Sequence, residues 1–222
     1  MTDVKALLAA ATERAGGAPA LAARLPKPAT ADDLRAQPDD RYLSAMSLRI
    51  FQAGLKHSLV AAKWPAFEEV FHGFDPGRVA FMTDEDLEAL MGDTRLIRHG
   101  GKLRAVPKNA AALLAVAEEA GSMGAWLADW PGDDIVGLWD ALATRFTQLG
   151  GASGARFLRM VGKDTFILTP DVERGLETFA GIAKAGKGKA GKRQAQAAFN
   201  AWAAESGRPL CELSMIVAVA VG

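Results

Sequence analysis

Leu149 to Val172 reads LGGASGARFLRMVGKDTFILTPDV, and the rest of the chain is organised around this stretch. Gly150, Gly151 and Gly154 make a tight turn directly after Leu149. A short helix is expected over Ala155 to Val161, carrying Arg156 and Arg159. Gly162 ends it, Phe166-Ile167-Leu168 forms an apolar link, and Thr169-Pro170-Asp171 opens another helix. Glycines let backbone amides approach a phosphate closely, and a helix N-terminus adds a partial positive charge. The turn can therefore hold one nucleic-acid phosphate through Gly151, Ser153 and Gly154, assisted by Arg156 or Lys163, while Asp171 stands at a helix start nearby in sequence. A plainer reading fits the same residues: Gly-Gly as a helix stop and Pro-Asp as a helix cap.

Outward from this stretch, composition sets the frame. The chain has 222 residues, half of them apolar, enough for one domain of ordinary size or a single fold with two lobes. Alanine is abundant and β-branched residues are sparse, which favours helix. Net charge is zero, but its distribution is uneven. Arg145 to Arg193 holds ten Lys/Arg against four Asp/Glu, and Glu118 to Asp140 holds six acids and no base. A basic half beside an acidic segment fits a one-sided DNA footprint. The one cysteine, Cys211, excludes an internal disulfide or a cysteine-rich zinc site. No apolar run reaches membrane-spanning length and no signal-peptide pattern is visible, so a cytoplasmic, nucleoid-associated protein without membrane contact is expected.

Residues 1–40 read as an N-terminal helix broken at Gly16-Gly17, followed by an extended arm with Pro26, Pro28 and Pro38. A short helical turn can begin at Thr30. Residues 41–222 form the main domain. Asp39-Asp40 cap a helix with Tyr42, Leu43, Met46, Ile50 and Phe51 at helical spacing, ending near Gly54. The next helix is expected to stop at Trp64-Pro65, with a further one over Ala66 to Phe71. Asp75-Pro76 and Thr83-x-x-Asp86 start two short helices. Pro107 is expected to kink or split the helix that runs on to Gly121. Trp126, Trp130 and Trp139 read as core rather than as a stacking platform. Lys184 to Arg193, KAGKGKAGKR, reads as a mobile basic loop, and two helices follow it.

Two motifs carry a resemblance. The turn at Leu149 with the later Asp171 resembles the helix-hairpin-helix and Gly/Pro-rich loop with aspartate (HhH-GPD) of a DNA glycosylase superfamily, the hairpin covering about residues 142–162. Further upstream, Phe51-Gln52-Ala53-Gly54-Leu55 and the segment PAFEEVFHGFDPGRVAFMTDEDLEALMGDTRLIRHGGKLRAVPKNAAALL are similar to the family of 3-methyladenine DNA glycosylase I. This second match runs from about Ser47 to Leu114, with Gln-Ala-Gly-Leu and Ile-Arg-His-x-Gly-Lys as anchors. The resemblance implies an all-α, two-lobed glycosylase fold with a DNA cleft between the lobes. It implies a monomeric enzyme that flips a damaged base, of the alkylated 3-methyladenine type, out of double-stranded DNA and excises it. Asp171 falls on the superfamily's catalytic aspartate. Members that also cut the backbone carry a lysine late in the hairpin; Ala155 stands there, which implies no lyase activity.

The same resemblance places a base pocket at Phe51, Gln52, Lys56 and His57, and lets Lys102 reach phosphate. It implies no cofactor and no metal, because the family's zinc is held by two cysteines and two histidines and Cys211 lacks such partners. The family's base-contacting Glu and Trp are replaced here by Arg49 and His57. His57 reads equally well as a surface histidine. Arg49 would repel a cationic base, so either it faces DNA phosphate or the substrate is not a cationic adduct. A catalytically silent DNA-binding module of the same fold is the alternative.

Overall fold

The computed structural model describes residues 4–222, and Met1 to Asp3 of the expected first helix lie outside the described residues. All regular structure among the described residues is helical. Helix α1 (Val4–Ala15) and α2 (Ala18–Ala22) are separated by Gly16 and Gly17, both at positive φ. The arm is extended up to Thr30, whose hydroxyl forms a reciprocal cap with Asp33 on α3 (Ala31–Ala36). Next come α4 (Asp39–Gln52) and α5 (His57–Val70), then a 3-10 turn at His72–Phe74. Asp75 caps α6 (Pro76–Val79), and Thr83 with Asp86 caps α7 (Asp84–Gly92). Then follow α8 (Gly100–Leu103), α9 (Ala105–Ala120), α10 (Met123–Asp129), α11 (Ile135–Arg145) and α12 (Ala152–Met160). The last three are α13 (Pro170–Ala180), α14 (Gly188–Ser206) and α15 (Leu210–Val221).

Three local expectations are corrected. Pro65 does not end a helix but lies inside α5. The missing amide bond is offset by packing, since Trp64 stacks on Phe67 and Phe67 on Phe71 along that helix. Pro107 accompanies a split, but the break falls at Arg104, leaving the proline in the first turn of α9, where its absent donor costs little. The basic stretch is not loop throughout: from Gly188 it is the start of α14. Gly191 there is buried against the Lys184 carbonyl, where a Cβ would collide, so the backbone packs closely.

The chain divides into two compact units. The first comprises the N-terminal segment to Ala29, Pro131–Leu138 and Gly162–Gly222. Its core includes Leu7, Phe166, Phe199, Trp202, Leu213 and Val217. α1 and α13 pack on α15, and Phe166 stacks on Phe199 at 4.3 Å. The Asp164 carboxylate accepts from the amides of Leu210 (2.9 Å) and Cys211 (2.8 Å) at the start of α15. At the far end of that helix, Arg14 donates to the Gly222 carbonyl.

The second unit comprises Thr30–Trp130 and Trp139–Val161. α4 runs through its core and packs on α5, α9, α10 and α12. Tyr42 donates to the Leu34 carbonyl at 2.7 Å and fixes α3 beside α4. Trp126 and Trp130 are half-buried and meet edge to face at 5.4 Å, while Trp139 is buried.

Candidate functional site

The turn between α11 and α12 is the expected hairpin. It needs two residues at positive φ, Gln148 (64°) and Gly151 (60°). Buried Leu149 anchors it between them. Gly154 has no room for a side chain, because a Cβ there would lie 2.9 Å from the Leu149 carbonyl oxygen. Two groups that the sequence did not single out brace the turn. Asn109 of α9 accepts from the Thr147 amide at 2.7 Å and donates to its carbonyl at 3.1 Å. Gln148 donates to the Gly101 carbonyl at 2.8 Å.

At the start of α12 no side chain caps the first-turn amides, and no acid sits in that turn. Gly151 and Ala152 are exposed, Ser153 is half-exposed, and Arg156 is exposed one turn along. The Ser153 amide already donates to the Gly150 carbonyl at 3.2 Å, but a helix start without a side-chain cap, beside a cation, suits a phosphate oxygen.

Gln52, Lys56 and His57 line one short connection between α4 and α5, with Gln52 half-exposed and Lys56 and His57 exposed. Phe51 is placed differently from the expectation of a base contact. It has 0% exposure and packs on Phe67 at 4.6 Å and edge-on to Trp64 at 6.3 Å. It therefore supports the connection from behind.

Trp64 is a third residue without a mark in the sequence, because the proline after it reads as a helix end. It stacks on Phe74 at 5.4 Å, and its indole donates to Ser44 at 3.2 Å. Ser44 donates to Glu68 at 2.6 Å, and Arg41 forks onto the same carboxylate at 3.1 and 2.9 Å. Burial alone would raise the Glu68 carboxyl, but the bonds from Arg41, Ser44 and Trp64 outweigh it and hold it below its ordinary value.

Lys102, expected at phosphate, turns inward. It is 7% exposed and donates to the carbonyls of Phe51 (3.2 Å), in the last turn of α4, and of Ala53 (2.6 Å), which caps that helix. A cation at a helix C-terminus is favoured there. Burial first, and then the neighbouring Arg49, lower the Lys102 amine below its usual value. His99 caps α8 by accepting from the Lys102 amide at 3.3 Å.

Asp171 and Lys163 belong to the other unit. Lys163 is buried. Asp171 sits in the first turn of α13, where Thr169 caps the helix by accepting from the Val172 amide. Its side chain is 47% exposed and pairs with Arg174 at 2.6 Å. Among the described residues no group of three or more His, Cys, Asp or Glu has metal-holding geometry, and no helix is long and apolar enough to cross a membrane.

Residues 34–146 match the model of the methyladenine glycosylase family. The chain is 48% identical over 65 residues to the DNA-3-methyladenine glycosylase of Haemophilus influenzae, covering 29% of this chain and 35% of that protein. It is 46% identical over 63 residues to DNA-3-methyladenine glycosylase 1 of Escherichia coli, covering 28% and 34%. The match thus spans about a third of the length of the curated relatives. Among solved structures, a 3-methyladenine DNA glycosylase I is similar with a TM-score of 0.50 and 27% identity, covering 61% of this chain and 81% of that one. The Staphylococcus aureus enzyme, solved to explain its recognition of 3-methyladenine, gives a TM-score of 0.51 and 25% identity over 57% of this chain and 79% of that one. A family match over half of the sequence, which includes α11 and the bracing residue Asn109 and stops just before the turn, establishes that this chain belongs to the methyladenine glycosylase family.

Proposed function

We infer that the chain is a DNA glycosylase that extrudes a damaged base, of the alkylated-purine class that the relatives' names describe, and hydrolyses its bond to the sugar. The observation that carries this reading is the hairpin: a turn braced by Asn109 that presents the uncapped amides of α12 beside Arg156, in a chain of this family. Those amides suit one backbone phosphate next to the lesion.

Extrusion costs a few kcal/mol of lost stacking, least for a damaged base. Breaking the C1′–N bond leaves positive charge on the sugar and its electron pair on the base. A water oxygen then bonds to C1′, and a water proton is released to the base or the solvent. Asp171 is the carboxylate we assign to that step, stabilising the charged sugar or taking the water proton. The hairpin carries Ala155 and no amine where a lyase would need one, so the reading is of a glycosylase that leaves the backbone intact.

The test is base release from methylated duplex DNA by the parent and by Asp171→Asn. The parent is expected to release free base and leave the strand uncut, and the variant to be slower by about 100-fold or more while still binding DNA. DNA binding with no release by either protein would favour the catalytically silent module, which the replacement of the family's base-contacting pair by Arg49 and His57 supports. Loss of binding must steepen with salt if phosphate contacts dominate; salt-independent binding would remove DNA from the proposal altogether.

A further inference from the structure

Arg49 lies one turn before the end of α4, just ahead of the connection that holds Gln52, Lys56 and His57. It is 8% exposed, and its Nε is shut off from solvent with no hydrogen-bond partner. The charged groups that act on it are of its own sign: Arg156 on α12, and Lys102, whose ammonium is already engaged by two carbonyls. A guanidinium keeps its proton in proteins, so this is a buried charge without a counter-charge. Fully exposed duplex phosphates are the natural partners of surface cations such as Arg156, not of a side chain this enclosed. What is missing is an acceptor for Nε that comes inside, and an extruded base can bring one together with a second for the adjacent Nη.

We propose that Arg49 sets the base specificity of this site: its planar fork takes the acceptor edge of an extruded purine that carries no positive charge. The proposal rests on the reading of the α4–α5 connection as the base pocket of a glycosylase and departs from it in one respect: it replaces the alkylated purine named by the relatives with an uncharged purine as the preferred base. The fork of an arginine matches two acceptors lying side by side, and the O6 and N7 atoms of a 6-oxopurine supply such a pair. Charge also decides between substrates. A base alkylated into a cation leaves as a neutral molecule and gains nothing from a nearby cation, which repels it beforehand. An uncharged base leaves with the bond's electron pair as an anion until a water proton reaches it. Arg49 stabilises that developing charge, which is a preference for the transition state over the bound substrate.

The experiment compares duplexes of one sequence carrying hypoxanthine, no lesion, or methylated purines including 3-methyladenine and 7-methylguanine. Free-base release and duplex affinity are measured for the full chain and for Arg49→Met, Arg49→Lys and Arg49→Glu, each first shown to be folded by its melting transition. The parent is expected to release hypoxanthine faster than the methylated purines. Arg49→Met and Arg49→Lys, which both lose the fork, are expected to lose that preference by roughly 10-fold or more. Arg49→Glu is expected to shift the preference to the methylated bases. A parent that prefers methylated purines, or a ratio that the variants leave unchanged, overturns the proposal. So does an equal loss of affinity for all duplexes in Arg49→Met, the signature of a phosphate contact. If no base is released but the hypoxanthine duplex is still bound preferentially in an Arg49-dependent way, the glycosylase reading fails and the specificity assignment stands; if neither is seen, both fail.

Discussion

Asn109 holds both backbone polar atoms of Thr147, accepting from the amide at 2.7 Å and donating to the carbonyl at 3.1 Å. One side chain on α9 thus fixes the backbone just before the positive-φ turn at Gln148. Asn109→Ala is expected to lower stability by about 1–3 kcal/mol, read from urea unfolding, because a buried amide and two hydrogen bonds are lost. DNA affinity is expected to fall further than for a destabilising substitution elsewhere, since the turn loses its preset geometry. Equal affinity in the folded variant would dissociate the turn from DNA binding.

Arg49→Met is expected to stabilise the protein. Replacing a buried, uncompensated cation by an apolar chain of similar length is worth about 1–3 kcal/mol. The measurement is the urea midpoint of unfolding. A lower midpoint in the variant would mean that the guanidinium has a favourable partner in the folded state.

Tyr42 gives the fold an alkaline limit. Burial, and next the Asp39 carboxylate, push its phenol up to about 12 from an ordinary 10. The neutral phenol is favoured in the folded state, so its contribution is fully present below pH 10 and is lost as pH climbs towards 12. Two pKa units correspond to about 2–3 kcal/mol. Tyr42→Phe is expected to be less stable at neutral pH, because the Leu34 carbonyl loses its donor, yet to show a shallower decline between pH 10 and 12 in denaturant titrations.

Gly175 lies where α13 meets α15, and a Cβ there would run into the side chain of Val217, with the Val217 carbonyl oxygen only 3.1 Å away. Gly175→Ala is expected to cost about 1–3 kcal/mol through overpacking. Melting measured by calorimetry should fall by several degrees. An unchanged melting point would show that α13 can shift to make room.

Much of this fold was legible from short-range chemistry. Thr30-x-x-Asp33 and Thr83-x-x-Asp86 announce helix starts through their own side chains, and each forms a reciprocal cap. Pro65 misled because a proline's local penalty is visible in sequence, whereas the aromatic packing of Trp64, Phe67 and Phe71 that overrides it is not. The basic run after Lys184 misled only in part: Lys184, Lys187, Lys189 and Arg193 do face solvent, but from Gly188 the run lies on a helix, and Gly191 sits against a carbonyl. At the candidate site, the glycine turn could be read because positive φ at Gly151 and close approach at Gly154 select glycine, whereas the positive φ of Gln148 left no mark. The orientation of Lys102 could not, since a lysine beside a helix start carries no mark of whether it seeks solvent or the carbonyls of another helix. Asn109 was invisible for a related reason: its partner lies 38 residues further along the chain.

The last helix, α15, is held at one end by Asp164 and at the other by Arg14, and α1 lies along it. Synthesis delivers these pieces in an awkward order. By the time Val161 has been made, every segment of the second unit exists, but α1 must wait for some sixty further residues before its main partner emerges. A nascent chain therefore carries one finished unit and one whose apolar helix faces stay uncovered until α15 has been made. Ribosomes that stall before Leu210 would leave that surface open to chaperones and proteases.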